Sequence, residues 1–223
     1  ENLMIITKDI LQRVFYCKID NKSGSCLSVT KNGIAYLITA RHLLPDKVEK
    51  FNSEIEILQS HKWVKIQATP YFPNDTKLDL VLLKTDILSK NEDARTLDIG
   101  GLCLGQDVAF LGFPTMSGLN IHPCVDINGE YPLPFVKRAI VSSMQFPYLY
   151  LDGHNNKGFS GGPVVFYDNN QRLFKICGIV TSYISCKNNI QINDTTVNNA
   201  TSIDNSGVSV AHSLKPIKEL FDI

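Results

Sequence analysis

The sequence predicts an all-β fold, a barrel or a sandwich. Three observations carry this expectation. Roughly a dozen short runs are rich in β-branched and aromatic residues and bounded by Gly, Pro, Asn or Asp. The apolar spacing of an amphipathic helix is scarce. A break near residues 99–106 (IGGLCLGQ) divides the chain into halves, 1–105 and 106–223, of about six strands each.

The elements follow in order. VFYCKID (14–20), GSCLSVTKNG (24–33), IAYLITA (34–40), EIEIL (54–58), WVKIQA (63–68) and LDLVLLKTD (78–86) read as strands. Lys31-Asn32-Gly33 marks a hairpin, because Asn-Gly accepts the positive φ of a tight turn. In the second half DVAFLGF (107–113), VKRAIVSS (136–143), YLYLD (148–152), GPVVFYD (162–168), LFKICGIVTSY (173–183) and GVSVA (207–211) read the same way. The clearest helix is SLKPIKELF (213–221). Leu214, Ile217, Leu220 and Phe221 share a face, Ser213 is a candidate N-cap, and Pro216 is tolerated in the first turn. Two polar stretches without period, 115–134 and 186–206, read as long loops, a length that usually marks function or mobility.

Composition narrows the partners. With 22 basic and 22 acidic side chains the formal charge is zero. Phosphate neutralisation needs a basic surplus, so no nucleic acid or anionic membrane is expected as a partner. No apolar run approaches the roughly 20 residues that span a bilayer, and residues 1–15 lack the charged start and long apolar core of a signal peptide. Cysteines stand at 17, 26, 103, 124, 177 and 186. No C-x-x-C occurs, so no metal site is expected and the thiols read as free and mostly buried.

The chemistry concentrates in three segments. In LDGHNNKGFSGGPVV (151–165), Ser160 sits on a Gly-Phe-Ser-Gly-Gly-Pro turn. Glycines permit the backbone angles that project a nucleophile while neighbouring N–H groups converge on one spot. The competing reading is an incidental serine on a glycine-rich turn. A serine hydroxyl needs a base, and His42 in YLITARHLL (36–44) follows a strongly apolar strand that could aim an imidazole. The base needs an orienting carboxylate. Asp79 in KLDLVLLK (77–84) heads an apolar strand, and Asp75 in a looser turn is the alternative.

In this combination, in the order His, Asp, Ser, the chain resembles the chymotrypsin-like (trypsin-like) serine peptidases, and among them the HtrA/DegP-like ones. ITARHLL is similar to the strand ending in the catalytic histidine, and WVKIQATPYFPNDTKLDLVLLK to the strand, loop and Asp-bearing strand that follow. DVAFLGFP and VKRAIVSS resemble the first strands of a second barrel. GFSGGPVV resembles the nucleophile turn, GIVTSY (178–183) the strand lining the cleft, and GVSVAHSLKPIKELF the last strand and closing helix. The likeness runs from about residue 24 to the end. It implies two antiparallel six-stranded β-barrels with a short C-terminal helix, the first barrel carrying His42 and Asp79 and the second Ser160. It implies a serine endopeptidase with His42 as general base, Asp79 as its orienting carboxylate and Ser160 forming the acyl-enzyme. Gly158 and Ser160 N–H groups would form the oxyanion hole. Thr181, Ser182 and Tyr183 would line the cleft and pair with an extended protein or peptide substrate, without cofactor.

Departures from the family shape further expectations. Secreted relatives carry an aspartate before the nucleophile that receives a new N-terminus; here that residue is Phe159, so such activation is not expected. Leu43 stands where they have a disulfide cysteine, which favours a reducing compartment, the cytoplasm, or a bacterial, phage or viral lineage. There is no room for the PDZ domain of HtrA proteins, so their mode of oligomerisation is not implied. By the resemblance, His154 falls near the base of the primary pocket and would suit an acidic or polar side chain; a solvated loop histidine is the blander reading. The 186–206 stretch should border the same pocket. The 115–134 insertion lies where HtrA-like enzymes control activation, which leaves room for a latent state and a regulatory partner. Two other classes compete: a protease-fold binding or scaffold protein without turnover, and a cysteine hydrolase using Cys103 or Cys124, neither of which has a convincing base beside it.

Overall fold

The computed structural model describes residues 5–45, 54–86, 96–115, 125–192 and 195–221. Its strands form two closed antiparallel barrels. The first contains β1 (Val14–Ile19), β2 (Lys22–Lys31), β3 (Ile34–Thr39), β4 (Glu54–Gln59), β5 (Lys62–Tyr71) and β6 (Val81–Thr85), in the spatial order 1-2-3-6-5-4, with β4 closing on β1. The second contains β7 (Asp107–Gly112), β8 (Phe135–Gln145), β9 (Tyr148–Asp152), β10 (Pro163–Asp168), β11 (Leu173–Ile192) and β12 (Thr195–Ser213), in the order 10-11-12-9-8-7, with β7 closing on β10. This is the chymotrypsin-like architecture expected from the sequence, with two single-turn helices, α1 (Lys8–Leu11) and α2 (Val125–Asn128), and a short C-terminal helix α3 (Lys215–Phe221).

The side-chain pattern explains the barrels. β4 alternates, sending Ile55 and Ile57 inward among Phe15, Cys17, Ile19, Leu37, Val81 and Leu83. Successive strand residues face opposite sides, so a strand with both faces covered reads as an unbroken apolar run. That is the case for β3 and β7. Leu37 enters the first barrel while Ile38 faces the other barrel. Val108 and Phe110 enter the second barrel while Ala109 and Leu111 face back. The shared layer between barrels also takes Leu27, Val29, Phe113, Val165, Ile176 and Ile179, and α3 seals it with Ile217.

Several expected boundaries move. β6 begins at Val81, so Leu78–Leu80 lead into it and Asp79 stands just ahead of the strand. Asn32 and Gly33 take φ of 51° and 76°, the left-handed pair that the hairpin requires. Helix α3 starts at Lys215, after the expected cap; Ser213 Oγ still accepts the Lys215 N–H at 3.3 Å. The largest correction is at 186–206, read as a loop. There β11 and β12 continue as a paired ribbon, from Ser185↔Asn205 to Ile192↔Thr195. Of the 115–134 stretch, residues 116–124 lie outside the described residues, and a short helix, Val125–Asn128, follows them. The described cysteines are free, and most are buried: Cys17, Cys26 and Cys177 buried, Cys103 and Cys186 exposed. Burial pushes the Cys177 thiol up to about 12. Cys124 lies outside the described residues. No helix among the described residues is long and apolar enough to cross a membrane.

Candidate active site

The first barrel delivers an imidazole and a carboxylate. After β3 the chain makes a single 3-10 turn, Arg41–Leu43, whose leading N–H groups have no partner within the turn. Asp79 fills that place: Oδ1 accepts the His42 N–H at 2.8 Å, and Oδ2 lies 2.6 Å from His42 Nδ1. One carboxylate therefore fixes both the backbone and the ring of His42, and Nε2 is the nitrogen left for other chemistry. Lys22 Nζ donates to the His42 carbonyl at 2.7 Å, and the Arg41 guanidinium covers the Phe72 ring and reaches the Thr76 carbonyl. The Arg41 contacts hold the turn against the loop that carries Asp79, and Lys22 ties it to β2. The alternative carboxylate, Asp75, caps the Lys77 N–H at 2.9 Å in a local turn.

The second barrel supplies Ser160. Gly158 and Gly161 have φ of 97° and 87°, and a Cβ on them would lie 2.2 Å from the Phe113 carbonyl and 1.9 Å from the Ser25 carbonyl. Only glycine fits either place. Between them Phe159 is fully buried and packs edge-on against Phe110, so an apolar anchor holds the turn. Backbone bonds set the peptide planes. The Lys157 carbonyl accepts Thr115 N–H, the Phe159 carbonyl accepts Gly162 N–H, and the Val180 carbonyl accepts Gly161 N–H. Because a trans peptide points N–H opposite to C=O, the Gly158 and Ser160 N–H groups are turned away from those acceptors. Neither meets an acceptor among the described residues.

Ser25 on β2 joins the two halves, and sequence reasoning missed it. Its N–H donates to the Ser160 carbonyl at 2.8 Å and its Oγ to the Gly158 carbonyl at 2.8 Å. The same Oγ accepts the Phe113 N–H, and the Ser25 carbonyl accepts the Thr39 hydroxyl just ahead of His42. A lone serine in GSCLSV carries no motif that would announce this. Its neighbour Gly24 shows how close the halves come: a Cβ there would lie 2.9 Å from the Ser160 carbonyl and 2.4 Å from Leu43 Cδ1.

The Ser160 hydroxyl lies 3.3 Å from the Thr181 carbonyl, its hydrogen-bond acceptor here, and no hydrogen bond joins it to His42 among the described residues. Thr181 is buried, and its own hydroxyl meets His212 Nδ1 at 3.1 Å. Burial holds the His212 imidazole below the usual histidine range, with the Asp79 charge opposing. Ser182 is exposed, Tyr183 is half-buried, and the Ser182 carbonyl accepts Asn155 Nδ2 at 3.1 Å. His154 is exposed and its carbonyl accepts Lys137 Nζ, whereas Asn155 beside it is buried. Among the described residues no cluster of three or more His, Cys, Asp or Glu could hold a metal ion.

Comparisons with known proteins agree with this architecture. The fold is similar to the crystal structure of Rv3671c protease in an inactive form, with a TM-score of 0.58, 13% identity, and 94% of this chain and 87% of that one covered. It is also similar to the apo MamO protease domain from Magnetospirillum magneticum, with a TM-score of 0.56, 19% identity, and 95% and 97% covered. No curated protein matches the sequence. Residues 23–173, well over half of the chain and including His42, Asp79 and Ser160, match the trypsin-like peptidase domain, and the chain belongs to that family.

Proposed function

We propose that the protein is a serine endopeptidase that cleaves protein or peptide substrates through an acyl-enzyme, with His42, Asp79 and Ser160 as its triad. The units 1–105 and 106–223 supply the two sides of the cleft, as in HtrA-like peptidases. The observation that carries the reading is the double grip of Asp79 on His42, set across Gly24 from Ser160.

In the mechanism, Ser160 Oγ attacks the scissile carbonyl as His42 Nε2 takes its proton. Asp79 keeps the proton on Nδ1 and stabilises the imidazolium. The oxyanion is received by the Gly158 and Ser160 N–H groups, which have no acceptor among the described residues. Collapse breaks the C–N bond, and the amine leaves with the proton from His42. Water then repeats the sequence on the acyl-enzyme and frees Ser160. The substrate strand lies along Thr181, Ser182 and Tyr183, with Asn155 and His154 at the pocket.

The Ser160 hydroxyl bound to the Thr181 carbonyl favours a second reading, a latent or non-catalytic member of the fold. A fluorophosphonate probe separates the two. Labelling of the wild type that vanishes in Ser160→Ala is expected. Folded wild type that stays unlabelled would overturn catalysis in favour of the second reading.

A further inference from the structure

The feature that the proposed mechanism leaves unused is the ribbon formed by β11 and β12. On one side of β11, β10 pairs only as far as Pro163↔Ile179, followed by reciprocal bonds between Val180 and the Gly161–Gly162 segment. On the far side β9 pairs β12 only from Val208. Beyond these points the two strands leave the barrel together and pair only with each other among the described residues. Residues 184–191 are exposed throughout, Ile184 and Ile190 included. From Thr181 to Ile192 the outer edge of β11 is therefore an open strand edge among the described residues. It is longer than the five or six residues of a common strand.

Such an edge is ordinarily blunted by charge, proline, brevity or bulges; of these the ribbon carries register shifts, at Val180/Ser182, Tyr183/Ser185 and Asn189/Gln191. The stretch TSYISCKNNIQI (181–192) has one lysine, no proline and no acidic residue. Its inner end is the Thr181 carbonyl, the acceptor of the Ser160 hydroxyl. The edge thus starts at the proposed nucleophile and runs outward without a covering strand among the described residues.

We propose that this edge is an extended substrate site, taking a long unfolded polypeptide segment on the N-terminal side of the scissile bond. The inference rests on the peptidase reading and goes beyond the three cleft residues Thr181, Ser182 and Tyr183. A substrate that continues the line of β10, in the same direction, ends at Ser160 and runs antiparallel to β11. Its upstream residues then pass along Ile184 to Ile192, about 30 Å at the rise of a strand. Recognition is by main-chain hydrogen bonds, as in strand addition. The nearly uncharged lining makes it tolerant of sequence. Folded surface loops do not offer so long an extended strand; tails, linkers and unfolded chains do.

The test measures the affinity of labelled peptides for the Ser160→Ala protein by fluorescence anisotropy. Peptides share the residues at the cleavage point and carry either about three or about twelve residues upstream, enough to span the edge. The long peptide should bind about tenfold tighter or better, since each added backbone bond contributes modestly. N-methylation of alternate upstream amides should erase the gain without changing the side chains. Replacing residues 186–204 by a short Asn-Gly turn should bring the long peptide down to the short one's affinity. Equal affinities for the two lengths, or a gain that survives both N-methylation and the shortened ribbon, would overturn the proposal. So would a ribbon-dependent dimer in light scattering with no length effect, which would assign the edge to a second copy. Fluorophosphonate labelling of wild-type Ser160 is scored in parallel. Labelling without a length effect defeats this inference alone, and absence of labelling defeats the peptidase reading.

Discussion

Ser25 is the residue on which both barrels depend, although it takes no part in the proposed chemistry. Ser25→Ala leaves the buried Gly158 carbonyl and Phe113 N–H without their partner. Such a loss costs about 1–3 kcal/mol, readable as a lower urea midpoint. Because those groups position the nucleophile turn, probe labelling under native conditions should fall more than stability does. Unchanged labelling would show that the turn holds its shape without Ser25. His212 makes a different prediction. Its imidazole is buried, Nε2 has no partner among the described residues, and burial holds the group below the usual range. The unfolded chain therefore binds the proton more readily. The stability that His212 contributes is complete above the ordinary histidine value of about 6.5 and is lost as pH falls below it. Tm should drop between about pH 7 and pH 5, and His212→Gln should flatten that slope. An unchanged slope in the variant would assign the acid sensitivity elsewhere.

At the scale of elements, the charged cluster at the end of β10 and β11 gives a stability test. Lys175 Nζ lies 2.7 Å from Asp168 Oδ2, 2.9 Å from Asp98 Oδ2 and 2.8 Å from the Gly100 carbonyl, and its side chain is 4% exposed. The hydrogen bond from Lys175 holds the Asp168 carboxyl below its ordinary range. Lys175→Met strips the buried Asp168 of its cation, so Tm should fall. Asp168→Asn on that background should restore part of it, because an unpaired buried charge costs more than a neutral pair. A double variant no more stable than Lys175→Met would refute that account. The β11–β12 ribbon shows why one element escaped the sequence. Residues 184–191 are exposed on both faces, so no alternation marks them, and their Asn-rich composition disfavours strands. Its pairing is inherited from the barrel, where Val180↔Ala211 and Tyr183↔Ser209 set a register that continues outward through several bulges.

For the whole molecule, the apolar layer between barrels should make folding and site assembly one event. Phe113 is fully buried there and stacks on Tyr16 at 5.1 Å, and its backbone meets Ser25 and Gly158. Phe113→Ala should cost about 3–5 kcal/mol in a single calorimetric transition, because both barrels share the layer. Two separate transitions would mean that the barrels hold independently.

The sequence by itself determined the twelve core strands, the tight Asn32-Gly33 turn, and the segments that carry His42, Asp79 and Ser160. Each is set by local pattern: apolar runs between turn residues, and glycines where only glycine fits. It did not show Ser25 as the link, the buried Asn155 and His212, or the ribbon. Tertiary structure decided these, because they depend on which distant groups meet. A serine on β2 becomes a keystone only when the Gly158 carbonyl arrives from another barrel. A polar segment becomes a strand only when its neighbour is already held in register. Which carboxylate lies against His42 is likewise a matter of contact: Asp79 reaches the imidazole, and Asp75 closes its own turn.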